Sequence, residues 1–197
     1  MNDLIEPLNR RTALAGSVRT LSAAGILAVF GGAIPASAYV AKHSARHAPG
    51  QDVQLLNAAI SLEHEGIAAY QIGAESGLLT PAVLKIGLTF QSHHQQHRDE
   101  LAAAVRRLGG QPPAAKALGD YATDLGAASL KDQGGVLRLA LKLERGAANA
   151  YLGLIPSLHQ TDFHVLAARM AGDEAFHAAT LANALGEPIP QKALMFG

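Results

Sequence analysis

The sequence contains no cysteine. That absence excludes disulfides, thiolate zinc sites, iron–sulfur clusters, cysteine nucleophiles and a lipid-modified cysteine. Any metal must therefore be held by nitrogen and oxygen. Charge is sparse as well: 16% of the 197 residues are charged, and 16 Lys and Arg balance 16 Asp and Glu. No excess of either sign points to nucleic acid or to an acidic membrane surface as a partner. Beyond Gly50 there is no strand-like alternation, and no uniformly apolar stretch reaches the roughly 20 residues of a membrane span. What is present is 49% hydrophobic residues, enough in a chain of this length for one real core and one domain, and nine histidines. His43 and His47 lie in a polar stretch and are expected to face solvent.

The first 38 residues read as an export signal. Arg10, Arg11 and Arg19 precede an apolar run from Leu21 to Ile34, and Ala36-Ser37-Ala38 supplies a small-residue cleavage site, with the cut after Ala38. Adjacent Arg10 and Arg11 resemble the bacterial twin-arginine signal, which exports proteins already folded, often around a cofactor. Ala13 stands where a bulky apolar residue is usual and Arg19 interrupts the apolar stretch, so an ordinary secretory signal with a long basic start is the alternative. The mature chain is expected in the periplasm or outside the cell, without a membrane span. Residues 39–51 are expected to be a linker, 52–186 the folded domain and 187–197 a tail.

The class read from the pattern is all-α, because four long stretches carry apolar residues three or four apart. The first runs from about Asp52, a suitable cap, to Glu75, with Leu55, Leu56, Ala59, Ile60, Ile67 and Tyr70 on one face. Gly77 and Thr80-Pro81 break it. The second opens at Pro81, a residue suited to a first helical turn. Its stripe passes through Leu84, Phe90, Leu101, Val105 and Leu108 before Gly109-Gly110-Gln111-Pro112-Pro113. A connection then runs to about Asp132, too broken by proline and glycine for anything but short turns. The third helix covers Gln133 to Leu154, and the fourth starts near Thr161 or Asp162 and stops at Gly186. Two helical hairpins joined by one long crossover are expected.

The two halves repeat one another. LEHEGIAAY, Leu62 to Tyr70, matches LERGAANAY, Leu143 to Tyr151, so Glu63 and Glu144 lie 81 positions apart, each seven residues before a tyrosine. Seven residues are two helical turns, about 10 Å along the axis, so each glutamate shares a face with its tyrosine. Glu63 continues the stripe of Leu56, Ile60 and Ile67; Glu144 continues that of Leu137, Leu141 and Ala147. Both carboxylates point into the core, where an unpaired charge costs several kcal/mol at least. On the other helices His94-Gln95-Gln96-His97 precedes Glu174-Ala175-Phe176-His177 by 80 residues. Residues three apart share a helix face, so each pair can grip one site. Phe90 and Leu101 flank the first pair, Met170 and Leu181 the second. All six side chains are expected to converge on one interior. His64, Glu65, His93, Asp99 and Glu100 are offset from the stripes and are expected at the surface, as are His159 and His164.

This arrangement resembles the ferritin-like family of carboxylate-bridged metal proteins, which includes rubrerythrins, bacterioferritins and manganese catalases. Its pattern is a four-helix bundle with one long crossover, in which a lone Glu and a Glu-x-x-His each appear twice. The resemblance covers about Asp52 to Gly186. It implies one or two ions of iron or manganese, or alternatively zinc. Glu63 and Glu144 would be terminal or bridging carboxylates, Glu174 a bridging one, His97 and His177 terminal nitrogen ligands, and Tyr70 and Tyr151 neighbours that hydrogen-bond to the glutamates. His94 departs from the pattern, standing where a glutamate is expected. Three carboxylates leave two divalent ions short of one negative charge, so the firmer ion is expected near Glu174 and His177.

The resemblance implies redox chemistry on dioxygen or a peroxide, by a di-metal oxidase or peroxidase. A non-catalytic structural or interaction domain with a degenerate metal site is the alternative, and homo-oligomerisation stays open. A rubrerythrin-type electron-transfer tail is excluded, since no cysteine exists to hold its iron.

Overall fold

The structure, a computed structural model, describes residues 50–196. The expected export signal, the cut after Ala38 and most of the expected linker, with Arg10, Arg11, His43 and His47, lie outside the described residues. Helix α1 spans Gly50–Glu75, α2 Pro81–Arg107, α3 Leu118–Asp124, α4 Gln133–Leu154 and α5 Thr161–Ala184; short 3₁₀ turns cover Ala127–Ser129 and Ile155–Ser157. The described residues contain no strand, and none of their helices is long and apolar enough to cross a membrane.

The boundaries follow from local chemistry. Pro81 stands at the start of α2, where its missing N–H costs nothing. Asp132 caps α4 by accepting from the Gly135 N–H at 2.7 Å. Gly186, with φ of 71°, ends the chain's last helix in the left-handed region that glycine tolerates. Two expectations are corrected. Asp52 does not cap α1, which already begins at Gly50. Its buried carboxylate accepts instead from the backbone N–H groups of His159 at 3.0 Å and Gln160 at 3.4 Å, and pairs with His159 Nδ1 at 3.0 Å. It thus satisfies donors at the start of α5, across the bundle. The long crossover also contains a true helix, α3, anchored by the buried Tyr121.

Short links make α1 and α2 one antiparallel hairpin and α4 and α5 another; α1 also packs on α4 and on α3. Their shared interior holds two apolar clusters. One joins Leu56, Ile60, Leu101, Val105, Tyr151, Leu154, Phe163 and Met170. The other joins Phe90, Leu137, Leu141, Ala178 and Leu181, with Phe196 of the tail packed on it. Along every long helix the six candidate residues fall between these clusters, so a polar layer is closed above and below by hydrocarbon.

Candidate metal centre

Glu63 comes from α1, His94 and His97 from α2, Glu144 from α4, and Glu174 and His177 from α5; none is more than 7% exposed. The inward stripes carry them there at mid-helix, where the backbone is rigid and its own hydrogen bonds are satisfied. They form two groups of four that could each hold a metal ion: Glu63, His94, His97 and Glu174 in the first, His94, Glu144, Glu174 and His177 in the second. His94 and Glu174 belong to both, and each group has two carboxylates and two imidazoles. The structure therefore removes the expected advantage of the Glu174 and His177 side, because the other side draws on Glu174 as well.

In the first group His94 Nδ1 lies 2.8 Å from Glu63 Oε2 and 3.7 Å from Glu174 Oε1, and His97 Nδ1 lies 3.1 Å from Glu174 Oε1 and 3.6 Å from Glu63 Oε1. In the second, His94 Nε2 lies 3.2 Å from Glu144 Oε1, and His177 Nδ1 lies 3.3 Å from both Glu144 Oε2 and Glu174 Oε2. Donors bonded at about 2.0–2.1 Å around a tetrahedral ion sit about 3.3 Å from one another. The donor spacing of both groups brackets that value. His177 hydrogen-bonds to Glu144. Glu174 Oε2 is left as a buried carboxylate oxygen without a hydrogen-bond partner. Native interiors seldom tolerate such an atom, and a cation between it and His177 would satisfy it. The donor set thus fits a metal.

Outside these six the structure adds three residues. The Tyr70 hydroxyl donates to Glu144 and the Tyr151 hydroxyl to Glu63, so each tyrosine serves the glutamate of the other hairpin. His97 Nε2 meets Asp173 Oδ2 at 3.2 Å, and His177 Nε2 meets His93 Nδ1 at 2.9 Å. His93 is thus corrected from surface residue to support of the centre, and Asp173 is a support that the stripes did not suggest. The repeat contained the signal: Asp173 precedes Glu174 as His93 precedes His94. The third is Gly66, where an added Cβ would lie 3.0 Å from His94 Nδ1. Of the remaining neighbours, His64 Nε2 lies 3.3 Å from the Pro113 carbonyl and Asp99 and Glu100 are exposed.

Burial alone would discharge this cluster, but opposite charges counter it. Burial raises Glu63, yet the charges of His94 and His97 and their hydrogen bonds lower it to about 2. Burial likewise disfavours the His97 cation, which its hydrogen bonds to Glu174 and Glu63 nonetheless raise to about 10. Against burial, His94 is raised by Glu174, Glu63 and Glu144, and His177 by Glu144 and Glu174. Glu174 goes the other way, to about 7, through burial and the Glu144 carboxylate beside it. His93 is lowered by its partial burial and by His177, so it stays neutral and its Nδ1 accepts the His177 Nε2–H. Three imidazolium rings can thus stand among the carboxylates where a metal's charge would otherwise be.

Residues 51–187 match the family model described as a ferritin-like domain. Among solved structures the chain is similar to the crystal structure of a conserved hypothetical protein from Mycobacterium tuberculosis, with a TM-score of 0.62 and 23% identity. The match covers 71% of this chain and 100% of that one, and the likeness is one of fold. No curated protein matches the chain.

Proposed function

The chain belongs to the ferritin-like domain family, and we propose that it binds iron or manganese at Glu63, His94, His97, Glu144, Glu174 and His177 and performs redox chemistry outside the cytoplasm. The buried Glu174 carboxylate carries this reading, because its two oxygens serve the two groups of donors, Oε1 facing His97 and Oε2, which has no hydrogen-bond partner, facing His177. Bound iron or manganese would supply one-electron chemistry toward dioxygen or a peroxide. The protein's own contribution is placement. Asp173 accepts the His97 Nε2–H and neutral His93 the His177 Nε2–H, which turns both Nδ1 atoms inward. The tyrosines orient Glu144 and Glu63 by donating to them. The apolar clusters on either side keep bulk water out. A surface cavity of about 510 Å³ opens beside His93 and His97, and its wall carries Asp99, which pairs with Arg98, together with Glu100, Asp173 and the cation Arg169.

Elemental analysis of the protein taken from its native export compartment, followed by oxygen or peroxide consumption after anaerobic loading with iron(II) or manganese(II), tests this. Metal at one or two ions per chain with turnover is expected. Metal without turnover, or zinc alone, would favour the non-catalytic reading, which draws support from the imidazolium–carboxylate pairing that closes the cluster without an ion. Export rests on the first 38 residues. N-terminal sequencing should find Tyr39, and lysine at both Arg10 and Arg11 should block export only on the twin-arginine route.

A further inference from the structure

The residue that departs from the family pattern is placed as a bridge. The two nitrogens of His94 lie in different donor groups, Nδ1 2.8 Å from Glu63 Oε2 and Nε2 3.2 Å from Glu144 Oε1. Glu174 is divided in the same way, with Oε1 3.1 Å from His97 and Oε2 3.3 Å from His177. The ring's position is prepared for it. Gly66 leaves the space beside the ring, since a Cβ there would lie 3.0 Å from Nδ1 and 3.1 Å from Cε1. Glycine inside a helix is costly without a packing reason, and the matching position of the other hairpin is Ala147. Tyr70 packs against the ring with centroids 5.5 Å apart.

We propose that His94 bridges two divalent ions through its two ring nitrogens, in place of the carboxylate that this position holds in the family pattern. This rests on the metal-binding reading above. Each nitrogen lone pair bonds one ion; both N–H protons that the ring carries in the metal-free cluster are released to solvent, leaving an imidazolate. Its single negative charge joins those of Glu63, Glu144 and Glu174, four against the four positive charges of two divalent ions. The missing carboxylate therefore leaves no charge deficit. With metal–nitrogen bonds of about 2 Å on opposite sides of the ring, the ions stand roughly 6 Å apart, wider than the about 3.5–4 Å of ordinary two-metal sites. In the rival arrangement one ion binds Nδ1, and Nε2–H merely donates to Glu144.

Cobalt(II) is the probe: crystals of the protein grown with excess cobalt, anomalous difference maps, and cobalt per chain in solution. Two peaks roughly 6 Å apart across the His94 ring are expected, with two cobalt ions per chain. His94→Glu should keep both ions and bring them to about 3.5–4 Å, and His94→Phe should retain one at most. Gly66→Ala keeps every donor but displaces the ring, so it should weaken the second ion about tenfold or more, the usual effect of disturbing a ligand's support. Two wild-type peaks at the shorter spacing, or a single peak on one ring nitrogen, would overturn the bridge while leaving metal binding intact. No cobalt bound in the wild type would overturn both.

Discussion

The two hairpins place their site residues in matching positions and give them different chemistry. In the first, α1 and α2 supply Glu63, His93, His94 and His97; in the second, α4 and α5 supply Glu144, Asp173, Glu174 and His177. The geometry is reciprocal. Each tyrosine reaches the opposite glutamate, and each outer histidine nitrogen meets the residue just before the shared bridge position of the other hairpin. Two imidazoles in one hairpin thus correspond to two carboxylates in the other, and Gly66 corresponds to Ala147. A scaffold can keep the positions of a metal centre and alter its charge and bridge, provided that the wider imidazole ring is given room.

Removing the lone glutamates tests the equivalence most strongly. Glu144→Leu strands the Tyr70 hydroxyl and removes one of the carboxylate partners of His94 and of His177, and Glu63→Leu strands the Tyr151 hydroxyl and removes one of the carboxylate partners of His94 and of His97. Stranding one partner of a buried ionic pair costs about 3–5 kcal/mol. Denaturant unfolding of the metal-free proteins should give losses of that size, similar in the two variants, and neither should bind a second ion. A large inequality would show that the halves share positions but not energetics.

The glycine pair comes next. Gly66→Ala improves helix propensity, yet its Cβ presses on the His94 ring, and overpacking costs about 1–3 kcal/mol. Ala147→Gly, the reverse change at the matching position, should cost about 1 kcal/mol, the propensity difference. Combining Gly66→Ala with His94→Glu should recover much of the loss, because the flexible carboxylate does not fill the same space. No recovery in thermal unfolding would mean that Gly66 serves something other than the ring.

How much of this was legible beforehand varies with the kind of information. The long helices were readable because proline and glycine punctuate them: α2 starts at the expected Pro81, and α4 runs over the expected Gln133 to Leu154. The convergence of the six side chains followed from their position on apolar stripes. Helix α3 was missed because seven residues are too few to show a period, and it is held by tertiary contact through Tyr121. His93 was assigned to the surface because it lies off the narrow stripe, but the polar interface between α2 and α5 is wide enough to include it. The twofold role of His94 depends on ring orientation, which Gly66 and Tyr70 set across helices, and neighbours in sequence do not reveal it.

The pH dependence of the metal-free protein separates the groups by sign. Glu63, lowered to about 2, contributes stability above its ordinary 4.5 that is lost as pH falls toward 2. His97, raised to about 10, contributes stability below 6.5 that is lost as pH climbs from 6.5 to 10. Glu174, raised to about 7, favours the fold below 4.5, and that contribution disappears between 4.5 and 7. Thermal unfolding without metal should therefore peak in mildly acidic solution and decline through neutrality. Added metal competes with those protons, so its stabilising increment should grow over the same range. A metal-free melting temperature that rises from pH 6 to 9 would contradict the imidazolium pairing.

The smallest effect distinguishes the two histidine supports. Asp173 is an anion on His97 with 61% of its side chain exposed, whereas His93 is a largely neutral ring between Phe90 and His177, with centroids 6.2 Å and 5.2 Å away. A carboxylate partner raises the basicity of a ligating imidazole more than a neutral one does, and losing such a partner costs about 10–100-fold in metal affinity. Asp173→Asn keeps a hydrogen-bond acceptor and removes the charge, so the expected loss is at the lower end, about tenfold. Its exposure should hold the stability change within about 0.5 kcal/mol. His93→Gln should weaken metal binding less, because a neutral acceptor replaces a neutral acceptor, but it should cost more stability through the lost ring packing. Cobalt titrations and thermal unfolding of both variants decide the matter. If His93→Gln proves the more damaging to affinity, the carboxylate is not the stronger support, and the ion nearer His177 depends on its neighbour more than the one nearer His97.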